Sequence, residues 1–191
     1  MKESKYVGNF KDIIDCDRLI ESLKTVDGDI RTPENPYSTK TVLSDRLTAE
    51  KLKMRDMWAD AGYSTSNSVE WINFYPDVHF DIEVVNAFSQ RVNATPYNVW
   101  ISSMKPGKCV PLHWDILNDY EKHEHDQTIA RYSFFIDKPQ VGKIFVLKDE
   151  AYHNIEQGSV YEWNTWDEWH LGFNCGLTQK YLFHYVGFKN Q

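Results

Sequence analysis

From residue 97 onward the chain is written in short runs of β-branched and aromatic residues, each closed by Gly, Pro, Asn or Asp. That texture leaves few folds open. Runs at 97–104, 108–115, 128–137, 142–148, 151–155, 158–163, 168–173 and 178–188 are short and evenly spaced, as in two packed antiparallel sheets. Eight strands of this kind predict a double-stranded β-helix, or jelly roll. The load of 7 Trp, 11 Tyr and 10 Phe suits strands that wrap an enclosed pocket.

The first 96 residues read differently. Over 12–26, Ile13, Ile14, Leu19, Ile20 and Leu23 recur at helical spacing, with Gly28 placed for a left-handed cap just past the end. Pro33 and Pro36 make 31–39 a loop. Thr48 is positioned to cap a second helix to about Ala61, with Met54, Trp58 and Ala61 on one face and Gly62 at its end. A polar connection follows over 64–68. A third helix after Pro76 buries Ile82, Val85 and Phe88 or Ala87, and closes before Pro96. The expected fold is mainly β with α: one domain over 1–191, mainly helical support to 96 and a jelly-roll core over 97–188.

A net charge of −7, with no concentrated Lys/Arg surface, argues against nucleic acid as a partner, since phosphate contacts need one. Cys16, Cys109 and Cys175 are too widely spaced for a disulfide framework or a thiolate zinc site, which predicts a reducing, cytoplasmic setting. No run approaches the ~20 apolar residues of a membrane span, and the charged first residues do not read as a leader.

The chemistry concentrates in Val-Pro-Leu-His-Trp-Asp, residues 110–115. In an extended strand alternate side chains share a face, so His113 and Asp115 point one way and Trp114 the other. His170 precedes a short strand 57 positions later (170 − 113). A jelly roll can bring strands so far apart in sequence together at its mouth. Two imidazoles and one carboxylate on one face of a metal leave the opposite coordination positions free, the arrangement of non-haem Fe(II) oxygenases. Ten positions further (180 − 170), Lys180 opens an aromatic and apolar run. If it points inward it needs an anionic partner, and the distal carboxylate of a dicarboxylate cosubstrate would serve.

On His113-Trp114-Asp115, His170 and Lys180 the chain resembles the 2-oxoglutarate- and Fe(II)-dependent oxygenases, most nearly the prolyl 4-hydroxylase-like group, over roughly 97–188. The resemblance implies a cupin-like jelly roll in which His113, Asp115 and His170 bind Fe(II). 2-Oxoglutarate would chelate the iron through its 1-carboxylate and keto oxygen, with its 5-carboxylate on Lys180. With O2 it would be oxidised to succinate and carbon dioxide while a substrate C–H bond is hydroxylated. The resemblance leans toward an amino acid or a peptidyl side chain as substrate. The chain departs from the group at Gly142-Lys143-Ile144-Phe145, where that pattern often carries Gly-Gly-x-Thr. It also lacks the Arg-x-Ser pair that follows the distal histidine in another branch. Two other readings stay open: a cupin-type metalloenzyme that does not use 2-oxoglutarate, and a non-catalytic jelly-roll module with an aromatic cleft.

Around these ligands, Trp100, Ser102, Tyr132 and Phe134 lie on flanking strands, and Tyr132 and Trp100 are expected to wall the cosubstrate pocket. Arg131 is placed to meet 2-oxoglutarate or an anionic substrate, or to form a structural ion pair. Trp114, Trp163, Trp166 and Trp169 suit a substrate rim or packing beneath the helices. His123 and His125 fall in a charged run that reads as a solvated loop over the mouth. His79, His153 and His184 read as structural histidines.

Overall fold

In the computed structural model the described residues are 4–34, 45–64, 68–115, 128–163 and 168–190. Three helices, α1 (Cys16–Leu23), α2 (Asp45–Asp60) and α3 (Ile82–Val92), accompany eleven strands. The strands are β1 (Lys5–Asn9), β2 (Asp29–Arg31), β3 (Trp71–Phe74), β4 (Ala94–Met104), β5 (Cys109–His113), β6 (Ile129–Phe134), β7 (Lys143–Leu147), β8 (Glu150–His153), β9 (Ser159–Trp163), β10 (His170–Asn174) and β11 (Lys180–Lys189). They form a seven-stranded sheet in the order β1-β9-β6-β11-β4-β3-β2 and a four-stranded sheet in the order β5-β10-β7-β8. The eight strands from β4 to β11 are thus shared four and four between the two antiparallel sheets, crossing at every step except the β7–β8 hairpin, as in a jelly roll.

Helices α1 and α3 both start at a capping aspartate. Asp15 caps α1 by accepting from Arg18 N at 3.0 Å, and Asp81 caps α3 by accepting from Glu83 N at 2.9 Å. Each cap is worth about 1 kcal/mol. Asn93 closes α3 in the left-handed conformation (φ 50°) and turns the chain directly into β4. Val85 and Phe88 of α3 sit on the outer face of the large sheet. There the Phe88 ring lies 5.0 to 5.8 Å from Tyr185, Phe183, Phe134 and Tyr132. Phe10, Ile14, Leu19 and Leu23 join this core. Beneath α2, Met54 and Trp58 pack instead with Val69, Trp71, Met104 and Val110.

The N-terminal part carries strands as well as its three helices. Its three short strands extend both edges of the large sheet: β1 pairs with β9, and β3 and β2 continue outward from β4. Three to five residues carry too little alternation to stand out, and their pairing is set by the partner strand. Arg31 closes β2 and does not open a loop. Helix α2 begins at Asp45, so Thr48 lies within it. Gly28 caps nothing, since α1 ends at Lys24 in right-handed conformation. A Cβ on Gly28 would stand 2.5 Å from Ile72 Cγ2 and 2.7 Å from Phe74 Cε1, so glycine is needed for close passage over β3. The loop expected over 31–39 and the connection over 64–68 fall largely outside the described residues. No described helix is long and apolar enough to cross a membrane.

Candidate metal centre

The small sheet supplies both histidines. β10 pairs antiparallel with β5 so that His170 stands opposite His113, and their ring centroids are 4.1 Å apart. The register then shifts, because Val110 faces Gly172: three residues of β5 span what two span in β10. This bulge turns the end of β5 inward, the usual work of an extra residue beside a functional group. The strand stops at His113, and Asp115 follows it on non-strand backbone. Asp115 nevertheless joins the same cluster: Oδ2 lies 3.4 Å from His170 Nε2 and Oδ1 lies 3.9 Å from His113 Nε2.

Both imidazoles are oriented through their other nitrogen. Nδ1 of His113 is 2.7 Å from the carbonyl of Pro111, and Nδ1 of His170 is 2.9 Å from that of Glu168. Donation to those carbonyls fixes the tautomer, so that each Nε2 presents a lone pair toward Asp115. Burial, with His170 beside it, pushes His113 down to about 3, which keeps it neutral and able to ligate. For Asp115 burial alone acts upward. Arg131, followed by His170 and His113, reverses this and holds the carboxyl well below its ordinary value. The three ligand atoms lie within 4.8 Å of one another. Two imidazoles plus one ionised carboxylate, all aimed at one point, fit a divalent first-row metal with open positions.

Facing this cluster is the inner side of the large sheet, and alternation decides which side chains reach it. In β6, Arg131 and Ser133 point inward. The Arg131 guanidinium contacts Asp115 Oδ2 and lies over the Trp163 ring, 3.7 Å from its centroid, while Ser133 Oγ accepts from Trp163 Nε1 at 3.1 Å. Tyr132, between them, therefore faces outward, against Phe88 and Tyr185, and belongs to the core under α3. It is not a pocket wall, and Phe134 shares that outer face. Trp100 does face inward, stacked on His184 at 4.7 Å and 12°. His184 Nε2 is 2.8 Å from Ser102 Oγ, and burial pushes its imidazole down to about 3. His184 is thus part of the chamber wall. The sequence carried the signal, since residues 180, 182 and 184 share one face of a strand.

Lys180 opens β11 and is 3% exposed. Its Nζ donates to the Ile144 carbonyl, and among the described residues no carboxylate lies within ion-pair range of it. The nearest acidic influence, Asp137, already pairs with Lys143 at 3.2 Å and accepts from Tyr181 N at 2.6 Å. Burial lowers Lys180 to about 7 despite the opposing pull of Asp137. Between Lys180 and the histidines lies Gly172, on the same strand face as His170. A Cβ there would stand 3.4 Å from Lys180 Nζ and 3.1 Å from Met104 Cε. Gly172 thus lets Lys180 and Met104 close over the strand.

Four tryptophans stand around the cluster. Trp114 and Trp169, each adjacent in sequence to a ligand histidine, meet edge to face at 4.6 Å. Trp58 donates from Nε1 to the Leu112 carbonyl at 2.9 Å and sets its ring 6.2 Å from His113. Trp163 lies 5.1 Å from His170. His79 accepts from Tyr75 N at 3.0 Å, and His153 sits on β8 opposite Ile144. His123, His125 and Trp166 lie outside the described residues. The three cysteines are unpaired.

No protein-family model matches the chain, and no curated protein matches it. Among solved structures, a prolyl-4-hydroxylase from Pseudomonas putida aligns over 93% of this chain and 100% of its own, at 9% identity and a TM-score of 0.44. A viral collagen prolyl hydroxylase from Paramecium bursaria Chlorella virus-1 aligns over 99% and 97%, at 13% identity and 0.45. The ribosomal oxygenase YcfD from Escherichia coli aligns over 100% of this chain and 48% of its own, at 12% and 0.47.

Proposed function

We propose that the protein is an Fe(II)- and 2-oxoglutarate-dependent oxygenase that hydroxylates an amino acid or a peptidyl side chain. The observation that carries this reading is the pairing of two features in one chamber. A His/His plus carboxylate set stands at one end, and a buried ammonium without a carboxylate partner stands at the other, with Gly172 between.

His113, Asp115 and His170 would hold the iron, and Lys180 would pair with the 5-carboxylate of the cosubstrate. Bound together there, iron and 2-oxoglutarate supply activation of O2 coupled to decarboxylation, giving succinate, carbon dioxide and an oxidised C–H bond. The chain's own contribution is geometric. His170 and Gly172, two residues apart, are separated by roughly 7 Å along β10. A five-carbon diacid spans about 5 Å between its end carbons, so one molecule can reach from the ligand cluster toward Lys180. Phe145, Leu182 and Met104, all buried, give that path apolar neighbours. A charged pair inside such a wall is far stronger than one at the surface.

The test is anaerobic addition of Fe(II) and then 2-oxoglutarate, followed by visible spectroscopy and calorimetry. A chelated keto acid on ferrous iron gives a charge-transfer absorption; its absence, with iron bound, would favour a metalloenzyme that does not use 2-oxoglutarate. Ligand binding and folding that ignore a chelator would favour a non-catalytic module.

A further inference from the structure

Arg131 is the least explained charge in the chamber. It is 2% exposed, and its Nη2 is engaged by Asp115. Its Nε and Nη1 have no hydrogen-bond partner among the described residues. Trp163 covers one face of the guanidinium, so the open donors lie in a plane fixed by stacking. A buried guanidinium with unused donors is costly unless something anionic completes it.

Charge balance gives the sign of what is missing, and this step rests on the oxygenase reading. Asp115 contributes one negative charge, and Arg131 and Lys180 one positive charge each. A ferrous ion adds two positive charges and 2-oxoglutarate two negative ones, while the imidazoles that bind metal are neutral. The loaded chamber is left with a single surplus positive charge. Position says where it sits. Lys180 and Val186, the residue paired with Arg131, are six apart on β11, or roughly 20 Å along the strand. The 5-carboxylate belongs at the Lys180 end, so the surplus lies at the Arg131 end. That end is the one from which the chain leaves β9 after Trp163 and enters β6 before Ile129.

We propose that Arg131 recognises the primary substrate, and that this substrate carries a carboxylate which docks on the guanidinium donors left open by Asp115. The carboxylate can be that of a free amino acid or the side chain of a peptidyl Asp or Glu. In either case a charge-assisted hydrogen bond in a water-poor chamber separates it from its neutral amide by about 10- to 100-fold in affinity.

The experiment uses the full chain loaded with Mn(II), which does not turn over, and 2-oxoglutarate. The common L-amino acids, their primary amides, and N-acetyl-Asp-amide and N-acetyl-Glu-amide are titrated calorimetrically. The expected result is that the tightest ligand is an acid that loses about 10- to 100-fold in affinity as its amide. Arg131→Met, compared with the unmodified protein at saturating Mn(II) and 2-oxoglutarate, should erase that difference. Tightest binding by a capped Asp or Glu supports the proposal with the side chain as the source. The acid-to-amide comparison in the unmodified protein stands even if Arg131→Met fails to fold. The proposal is overturned if the best ligand binds equally as acid and amide, if the preference survives in Arg131→Met, or if no acid binds the loaded protein. Failure of Mn(II) or 2-oxoglutarate to bind at all would instead remove the oxygenase reading, and this inference with it.

Discussion

Replacing Gly172 by alanine tests whether the cosubstrate crosses the strand at this residue. In the ligand-free protein the added methyl would meet Met104 Cε at 3.1 Å, Lys180 Nζ at 3.4 Å and Met104 Sδ at 3.7 Å. The first contact is a few tenths of an ångström tight, and the end of a thioether side chain can yield that much. Gly172 does not use a left-handed backbone, so alanine also gains about 0.4–1 kcal/mol by restricting the unfolded chain. The two effects nearly cancel, and the melting temperature should move little. With 2-oxoglutarate seated over this position, the same methyl overfills a closed chamber, at about 1–3 kcal/mol. That weakens the cosubstrate by roughly 5- to 150-fold. Iron affinity should hold, because His170 keeps its backbone and its bond to the Glu168 carbonyl. The assay is anaerobic calorimetry of Fe(II) alone and of 2-oxoglutarate into the Fe(II)-loaded protein. Unchanged 2-oxoglutarate affinity, or equal loss of iron and cosubstrate, would refute the placement.

Lys180 must be protonated to pair with a carboxylate, and in the ligand-free protein it titrates at about 7. Affinity for 2-oxoglutarate should therefore fall about tenfold per pH unit above 7, close to 100-fold by pH 9; Lys180→Arg should flatten the profile, and a flat profile in the unmodified protein would count against the role. The same depressed value means the unfolded chain holds a proton that the folded chain has lost between pH 7 and the ordinary lysine range. The contribution of Lys180 to ligand-free stability thus rises with pH across that window, which urea titrations of the unmodified protein and Lys180→Met can compare. Asp115→Ala should abolish succinate production and cost the metal-free protein about 3–5 kcal/mol, because Arg131 is left buried without its partner; persisting turnover would remove Asp115 from the ligand set. Phe88→Ala should cost about 3–5 kcal/mol in denaturant unfolding, while leaving metal binding intact, since its ring packs on the side of the large sheet away from the histidines.

Much of the barrel was legible because period-two alternation survives in a strand with two buried faces whenever polar residues mark one of them. All eight core strands stand within a few residues of the runs that announced them, and His113, Asp115 and His170 converge. The reason offered by spacing was incomplete for Asp115: strand geometry ends at His113, and a bulge in β5, invisible in the residue pattern, aims the segment. Tyr132 was assigned to the pocket by its chemistry, whereas its neighbours Arg131 and Ser133 take the inner face and leave it the outer one. The same parity rule, applied from Lys180, brings in His184. What could not be read was pairing over long separations. Strands β1, β2 and β3 are too short to carry a pattern and exist because an edge is waiting for them.

Those three strands have a consequence for any attempt to cut the protein down. Without them, β9 and β4 would be the two rims of the large sheet, and the outward amide and carbonyl groups of β4 that β3 now meets over Ile101–Ser103 would lose their partners. Such a rim invites another chain to join it. As built, the sheet ends instead in a three-residue ribbon on one side and, on the other, in a five-residue ribbon whose register breaks at Gly8. The leading part of the chain is, in effect, a pair of selvedges woven onto the jelly roll, and a barrel trimmed to residues 94–190 should clump in solution.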